Sequence, residues 1–120
     1  MGDAEIENEI QSKGLTAARV TPADVEANID TEWYFTGADA VQHYFVPGAC
    51  LNMESPLNQL TFCVLVLKNG FTVTGESACA SPENFDAELG RKIARTNAVN
   101  KVWPLMGYAL KQSLLSGTVV

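Results

Sequence analysis

The pair Asn69-Gly70 constrains this chain more than any other feature. It lies between two runs rich in apolar and β-branched residues, LTFCVLVL and FTVTG. Asn-Gly best tolerates the two positive φ angles of a type I′ turn. The stretch therefore predicts a β-hairpin with strands at about 60–67 and 71–78. A two-residue loop sets Lys68 opposite Phe71, Val66 opposite Val73, Val64 opposite Gly75 and Cys63 opposite Glu76. One face then carries Phe62, Val64, Val66, Phe71 and Val73, and is the stronger core candidate. The other carries Cys63, Leu65, Leu67, Thr72, Thr74 and Glu76. It is half apolar, so something covers part of it: another strand layer, the first helix or a second subunit.

The hairpin runs straight into a helix. Ser81 suits a cap, Pro82 the first helical position and Glu83 the positive end of the dipole, which predicts a helix over about 82–103. On its wheel Phe85, Leu89, Ile93 and Trp103 form one stripe, interrupted by Thr96 and Asn100. Gly90, Ala94 and Ala98 form a second stripe of small residues, suited either to packing on the chain's own sheet or to an oligomer contact. Arg91 and Arg95 lie on a third face. Pro104 is expected to kink or break the helix, leaving a shorter one over about 104–115.

Upstream, Thr21-Pro22 opens a helix over about 22–33, with Val25, Ile29 and Trp33 recurring every four residues. Tyr34 and Phe35 suit the start of a strand, residues 41–46 suit another, and residues 52–59 read as a loop. Residues 1–18 read as a flexible arm, acidic through Asp3, Glu5, Glu7 and Glu9. Ile6 and Ile10 there permit a short helix that Gly14 ends. The expected class is α+β: a small antiparallel sheet built on the hairpin, packed with the two helical regions, in one domain over 19–120.

Composition narrows the function. At 120 residues, 47% hydrophobic and 18% charged, the chain has the make-up of one globular domain. A net charge of −6 argues against a DNA binder, which needs a basic surface to displace counterions. A local cluster of Arg and Lys can still hold a small anion. Cys50, Cys63 and Cys79 are odd in number, lack metal spacing and follow no leader pattern, so free thiols in a reducing cytoplasm are expected. No apolar run reaches the length of a membrane span. His43 is the only histidine and has no neighbours at ligand spacing, so no metal site is expected. Phosphate-loop, nucleophile-elbow and zinc signatures are absent, and no cofactor is implied. A two-carboxylate enzyme would have to use Glu76, Glu83, Asp86 or Glu88, and the helix dipole already explains Glu83 and Asp86.

Binding chemistry is easier to assemble. Asn84 and Phe85 fall at the expected helix N-terminus, where exposed N–H groups favour an anion. Arg91 and Arg95 are spaced to grip phosphate oxygens, and Lys101 adds a cation. Asn97 and Asn100 offer a donor and an acceptor to a base edge, while Trp33, Phe85 and Trp103 offer flat surfaces for stacking. The plainer alternatives are arginines solvated beside Glu88, Phe85 and Trp103 in the core, and Asn97 facing water. The candidate ligand residues are Asn84, Phe85, Arg91, Arg95, Asn97, Lys101 and Trp103.

The segment LKNGFTVTGESACASPENFDAELGRKIARTNA, with KVWPLMGY after it and VTPADVEANI before it, resembles the tailed-bacteriophage gene-49/gene-66 family over about residues 15–112. The combination of NGF, GESAC, PENFD, GRKIA and the KxW near the end carries the resemblance. The family is similar to phage proteins that defeat the Thoeris and CBASS defences. That implies a non-enzymatic sponge in the cytoplasm of an infected bacterium. It would bind a cyclic ADP-ribose isomer or a cyclic oligonucleotide without cleaving it, and would form a dimer or hexamer. A protein-binding inhibitor of a host enzyme, acting through the acidic arm, is the alternative. An enzyme on a nucleotide, with Glu76 or Glu83 as base, is a third reading.

Overall fold

In a computed structural model, which describes residues 2–44 and 55–117, three antiparallel strands in the order β1-β2-β3 lie against one long helix. The elements follow as α1 (Asp3–Ser12), α2 (Pro22–Ala27), β1 (Ile29–Thr36), α3 (Gly37–Tyr44), β2 (Leu60–Leu67), β3 (Thr72–Ala78) and α4 (Ala87–Ser116). The α+β class and the central hairpin agree with the sequence reading.

The hairpin register differs from it by one residue. Leu67 N–H donates to Phe71 O at 2.8 Å, and Gly70 N–H to Leu67 O at 2.9 Å. The loop therefore holds three residues, Lys68 to Gly70, with Gly70 alone at positive φ (+89°). That geometry is a type I turn closed by a left-handed glycine. Leu65 now faces Val73, Cys63 faces Gly75 and Phe62 faces Glu76. A one-residue slip exchanges the faces of a strand. The core face of β2 is accordingly Cys63, Leu65 and Leu67, all buried, and the expected core residues Phe62, Val64 and Val66 point outward and are half-buried.

Helix α2 stops at Ala27, well short of residue 33. A reciprocal capping box starts it, in which Thr21 Oγ1 accepts from Asp24 N–H and Asp24 Oδ2 accepts from Thr21 N–H. The following IDTEWYFT is rich in β-branched and aromatic residues and pairs with β2 as an edge strand. Trp33 is thus a strand residue. Residues 37–44 form α3, so 41–44 of the strand expected at 41–46 are helical, and the same reciprocal box joins Thr36 and Asp39. Positions 45 and 46 of that expected strand, and 52–54 of the expected loop, lie outside the described residues; Pro56–Gln59 is a 3-10 turn.

Helix α4 begins later than expected. Ser81 precedes a 3-10 turn, Pro82–Asn84, and the α-helix is capped by Asp86, whose carboxylate accepts from Leu89 N–H. It then continues through Pro104 for 30 residues, so the expected break and separate last helix are not formed. A proline inside a helix removes its own amide donor and crowds the carbonyl four residues before it, which bends a helix more readily than it ends one. Pro104 sits on the exposed side of a helix whose other side is docked. Gly117, at φ +74°, ends α4.

The small-residue stripe settles how α4 docks. Gly90, Ala94 and Ala98 are buried toward the sheet. A Cβ on Gly75 would collide with Ala94 O and Ala98 N and lie 2.9 Å from Ala98 Cα. Strand β3 and α4 therefore touch backbone to backbone at Gly75. The core joins Cys63, Leu65, Leu67 and Val73 to Ala94, Ala98, Val99 and Val102, with Val25 of α2 closing one end. Leu89 and Ile93, expected to pack, face outward.

Candidate functional site

Close docking of α4 places its first two turns beside the end of β1. Between them is a small cleft of about 130 Å³, lined by Tyr34, Phe35, Thr36, Thr61, Phe85, Ala87 and Arg91. The floor is open because residue 90 is glycine. A Cβ there would stand 3.1 Å from Thr61 Oγ1 and 3.7 Å from the Phe85 ring. Phe85 is half-buried just before the Asp86 cap, and Arg91 is exposed one turn into the helix. Among the described residues Arg91 has no ion-pair partner.

Arg95 has a different place. Its Nη1 and Nη2 donate to the two carboxylate oxygens of Glu26 at 3.0 and 2.8 Å, and its Nε donates to Glu32 at 2.7 Å. Helix α2, strand β1 and helix α4 are tied together by this one guanidinium. These bonds hold the Glu26 carboxyl below the usual carboxylate range and the guanidinium above its own. The remaining candidates are spread out. Asn97 donates to Glu76 O at 2.8 Å, bridging α4 to β3. Asn84 and Lys101 are exposed. Trp103 packs against the core and lines a separate cleft of about 240 Å³ with Ile6, Ile10, Val20 and Pro22. Helix α1 is held over that cleft by Glu7, which accepts from Arg19 at 2.6 Å, an interaction that pulls the Glu7 carboxyl down to about 2.

Of the seven sequence candidates, the fold brings Phe85 and Arg91 into one cleft. The helix N-terminus beside Asn84 and Phe85 is already satisfied in part by the Asp86 carboxylate. Tyr34, Phe35, Thr36 and Thr61 complete the cleft and were missed. Reading IDTEWYFT as a strand paired with β2 would have found the first three. Burial pushes the Tyr34 phenol up to about 12 and also raises the Cys63 thiol beneath it. Both therefore stay protonated at neutral pH.

Charge is strongly partitioned. Five of the eight Lys and Arg but one of the fourteen Asp and Glu lie in α4, so this helix carries +4 and the rest of the chain −10. The cleft opens at the foot of the cationic helix. Among the described residues no group of three His, Cys, Asp or Glu side chains is placed to hold a metal ion. None of the described helices is long and apolar enough to cross a membrane.

The model of the phage protein (N4 Gp49/phage Sf6 gene 66) family matches residues 20–114. The chain belongs to that family. The match takes in both sides of the cleft and the whole sheet, and it begins after α1. No curated protein and no solved structure matches the chain.

Proposed function

We propose that this phage-family chain is an anti-defence protein that binds and sequesters a cyclic nucleotide immune messenger, a cyclic ADP-ribose isomer or a cyclic oligonucleotide, without cleaving it. The observation that supports this is the cleft that joins the Phe85 ring, the Thr36 and Thr61 residues and the Arg91 cation. A ring for stacking, hydroxyl-bearing residues for a sugar and a fork of donors for a phosphate are the groups a nucleotide requires. At about 130 Å³ the cleft is well below the ~300 Å³ of a small drug-sized site. It accommodates one ring of the ligand, with the charged remainder lying outside along α4.

Binding without turnover fits the protonation of the cleft. The Tyr34 phenol that lines it is not ionised at neutral pH, so it is not a ready base. Such a protein acts in the cytoplasm of the infected bacterium, where the messenger is made. The test is recovery of ligand. The protein is incubated with a cyclic ADP-ribose isomer or a cyclic dinucleotide, separated from free ligand and heat-denatured. The reading expects intact ligand in the released fraction. Ligand that never leaves solution, or a product that accumulates with time, would contradict it.

A second reading has its own observation. Helix α1 presents exposed Asp3, Glu5 and Glu9 and lies outside the family match. This acidic helix would suit contact with a host enzyme. Deleting residues 1–18 separates the two readings: inhibition of a host enzyme would be lost, whereas small-molecule binding would persist.

A further inference from the structure

Thr61 is 2% exposed, and among the described residues its hydroxyl has no hydrogen-bond partner. It lines the floor of the cleft beside Phe85. The other hydroxyls of the cleft are engaged. Thr36 Oγ1 accepts from Asp39 N–H at 3.0 Å, and the Tyr34 phenol is set against the Cys63 thiol. A buried hydroxyl left unpaired costs stability. Gly90 above it adds a second cost, because glycine inside a helix is less favourable than alanine. That glycine keeps the hydroxyl open to the cleft. The point where a Cβ on residue 90 would stand is 3.1 Å from Thr61 Oγ1 and 3.7 Å from the Phe85 ring. Two choices made against stability therefore meet where a ring for stacking and a free hydroxyl share one space. Packing alone does not call for an unpaired hydroxyl there.

We propose that Thr61 determines the specificity of this cleft: its hydroxyl pairs with a free ribose hydroxyl of the ligand, so the protein takes ribonucleotides and rejects counterparts that lack that group. The inference rests on the nucleotide reading and narrows it. The chemistry of the floor selects the sugar. A threonine hydroxyl both donates and accepts, and a sugar hydroxyl does the same, so one partner satisfies it in both senses. A purine edge would bring several ring and exocyclic nitrogens to a floor with one free polar group, and would leave the others unpaired. A phosphate needs the charge of Arg91, which is exposed at the mouth. Base and sugar are directly bonded, so a base laid on the Phe85 ring carries its ribose to Thr61 across the open point above Gly90. A site built to bond a hydroxyl rejects an analogue without one, because the protein's own buried group is then left unpaired.

The test is calorimetric titration of the full chain, as wild type, Thr61→Val and Thr61→Ser. The probes are a cyclic ADP-ribose isomer and 3′–5′ cyclic diadenylate. Each is run against the deoxy counterpart whose adenosine ribose lacks its free hydroxyl. The wild type is expected to bind the ribose form of at least one probe about tenfold or more tighter than its deoxy form. Thr61→Val is expected to abolish this preference by weakening the ribose form alone, and Thr61→Ser to keep it. Chemical denaturation separates this from damage to the fold. Thr61→Val removes an unpaired buried hydroxyl and is expected at or above wild-type stability. Equal wild-type affinity for ribose and deoxy forms would overturn the inference and leave the nucleotide reading standing. So would a Thr61→Val variant that keeps the preference. A wild type that binds neither probe would overturn the nucleotide reading, and this inference with it.

Discussion

Arg95 donates to carboxylates from α2 and β1, whereas Arg91, one turn earlier on the same helix, donates to none of the described acids. The two residues look equivalent in the sequence: same type, same helix, four apart. Packing separates them. Docking of α4 on Gly75 brings the Arg95 side chain over the seam between α2 and β1, where Glu26 and Glu32 wait. Arg91 is left at the mouth of a cleft. One cation is consumed by the fold and the other stays available, so the number of arginines on a helix face is a poor count of its ligand contacts.

The largest expected effect removes the frame that creates the difference. Gly75→Val drives a side chain into the α4 backbone at Ala94 and Ala98, and should cost about 3 kcal/mol or more. Chemical denaturation followed by circular dichroism measures this. Retained wild-type stability would mean that α4 does not lie against β3 as described. The next effect isolates the clamp. Arg95→Ala leaves Glu26 and Glu32 without their cation and should cost about 1–2 kcal/mol, the range for charge-assisted bonds after allowing for solvent screening of a guanidinium that is 30% exposed. The same denaturation measurement checks it.

Gly90→Ala sharpens the cleft side of the comparison. The added methyl meets Thr61 Oγ1 at 3.1 Å and narrows the floor. Nucleotide affinity should fall while stability stays within about 1 kcal/mol, since alanine also favours the helix. Competition binding and denaturation, run together, distinguish this from a general loss of folding. Acid gives the smallest and most local effect. The Glu26 and Glu7 carboxyls are held below their ordinary 4.5, Glu26 by Arg95 and Glu7 by Arg19 and then Gln11. Groups depressed in the folded state contribute stability that is complete above the unfolded value and is lost as pH falls through the folded one. For Glu7 that window runs from about 4.5 to about 2. Release of α1 from Trp103 in this window should appear as a change in tryptophan fluorescence that is absent between pH 6 and 8.

Much of the fold was legible because its signals are local. The Asn69-Gly70 turn and the Thr21-Pro22 start act through neighbouring residues, whereas the stripe at Gly90, Ala94 and Ala98 was visible but its partner, Gly75 of β3, was not. The hairpin register was not legible, because β2 is apolar on both faces and so gives no pattern to choose between them. Only the loop length decides, and Asn-Gly suits two-residue and three-residue loops alike. Trp33 was misplaced because Val25, Ile29 and Trp33 keep a helical period, and the polar residues between Ile29 and Trp33 gave no run of strand formers before Trp33-Tyr34-Phe35. The capping box at Thr36 and Asp39, in contrast, was present in the sequence and announces α3. In the site, Phe85 and Arg91 were found because they share a local segment. Tyr34, Thr36 and Thr61 come from strands far away in sequence, and only the pairing of β1 with β2 brings them in. The same distance effect hid the partners of Arg95, since Glu26 and Glu32 lie more than sixty residues upstream.

The most direct test of the account is calorimetric titration of a cyclic ADP-ribose isomer into the wild type, Arg91→Ala and Arg95→Ala under one buffer condition. Loss of a charge-assisted contact worth ~1.5–3 kcal/mol lowers affinity by about 10- to 100-fold. The account predicts that loss in Arg91→Ala and near wild-type affinity in Arg95→Ala. Equal affinities for wild type and Arg91→Ala, or a loss confined to Arg95→Ala, would contradict it.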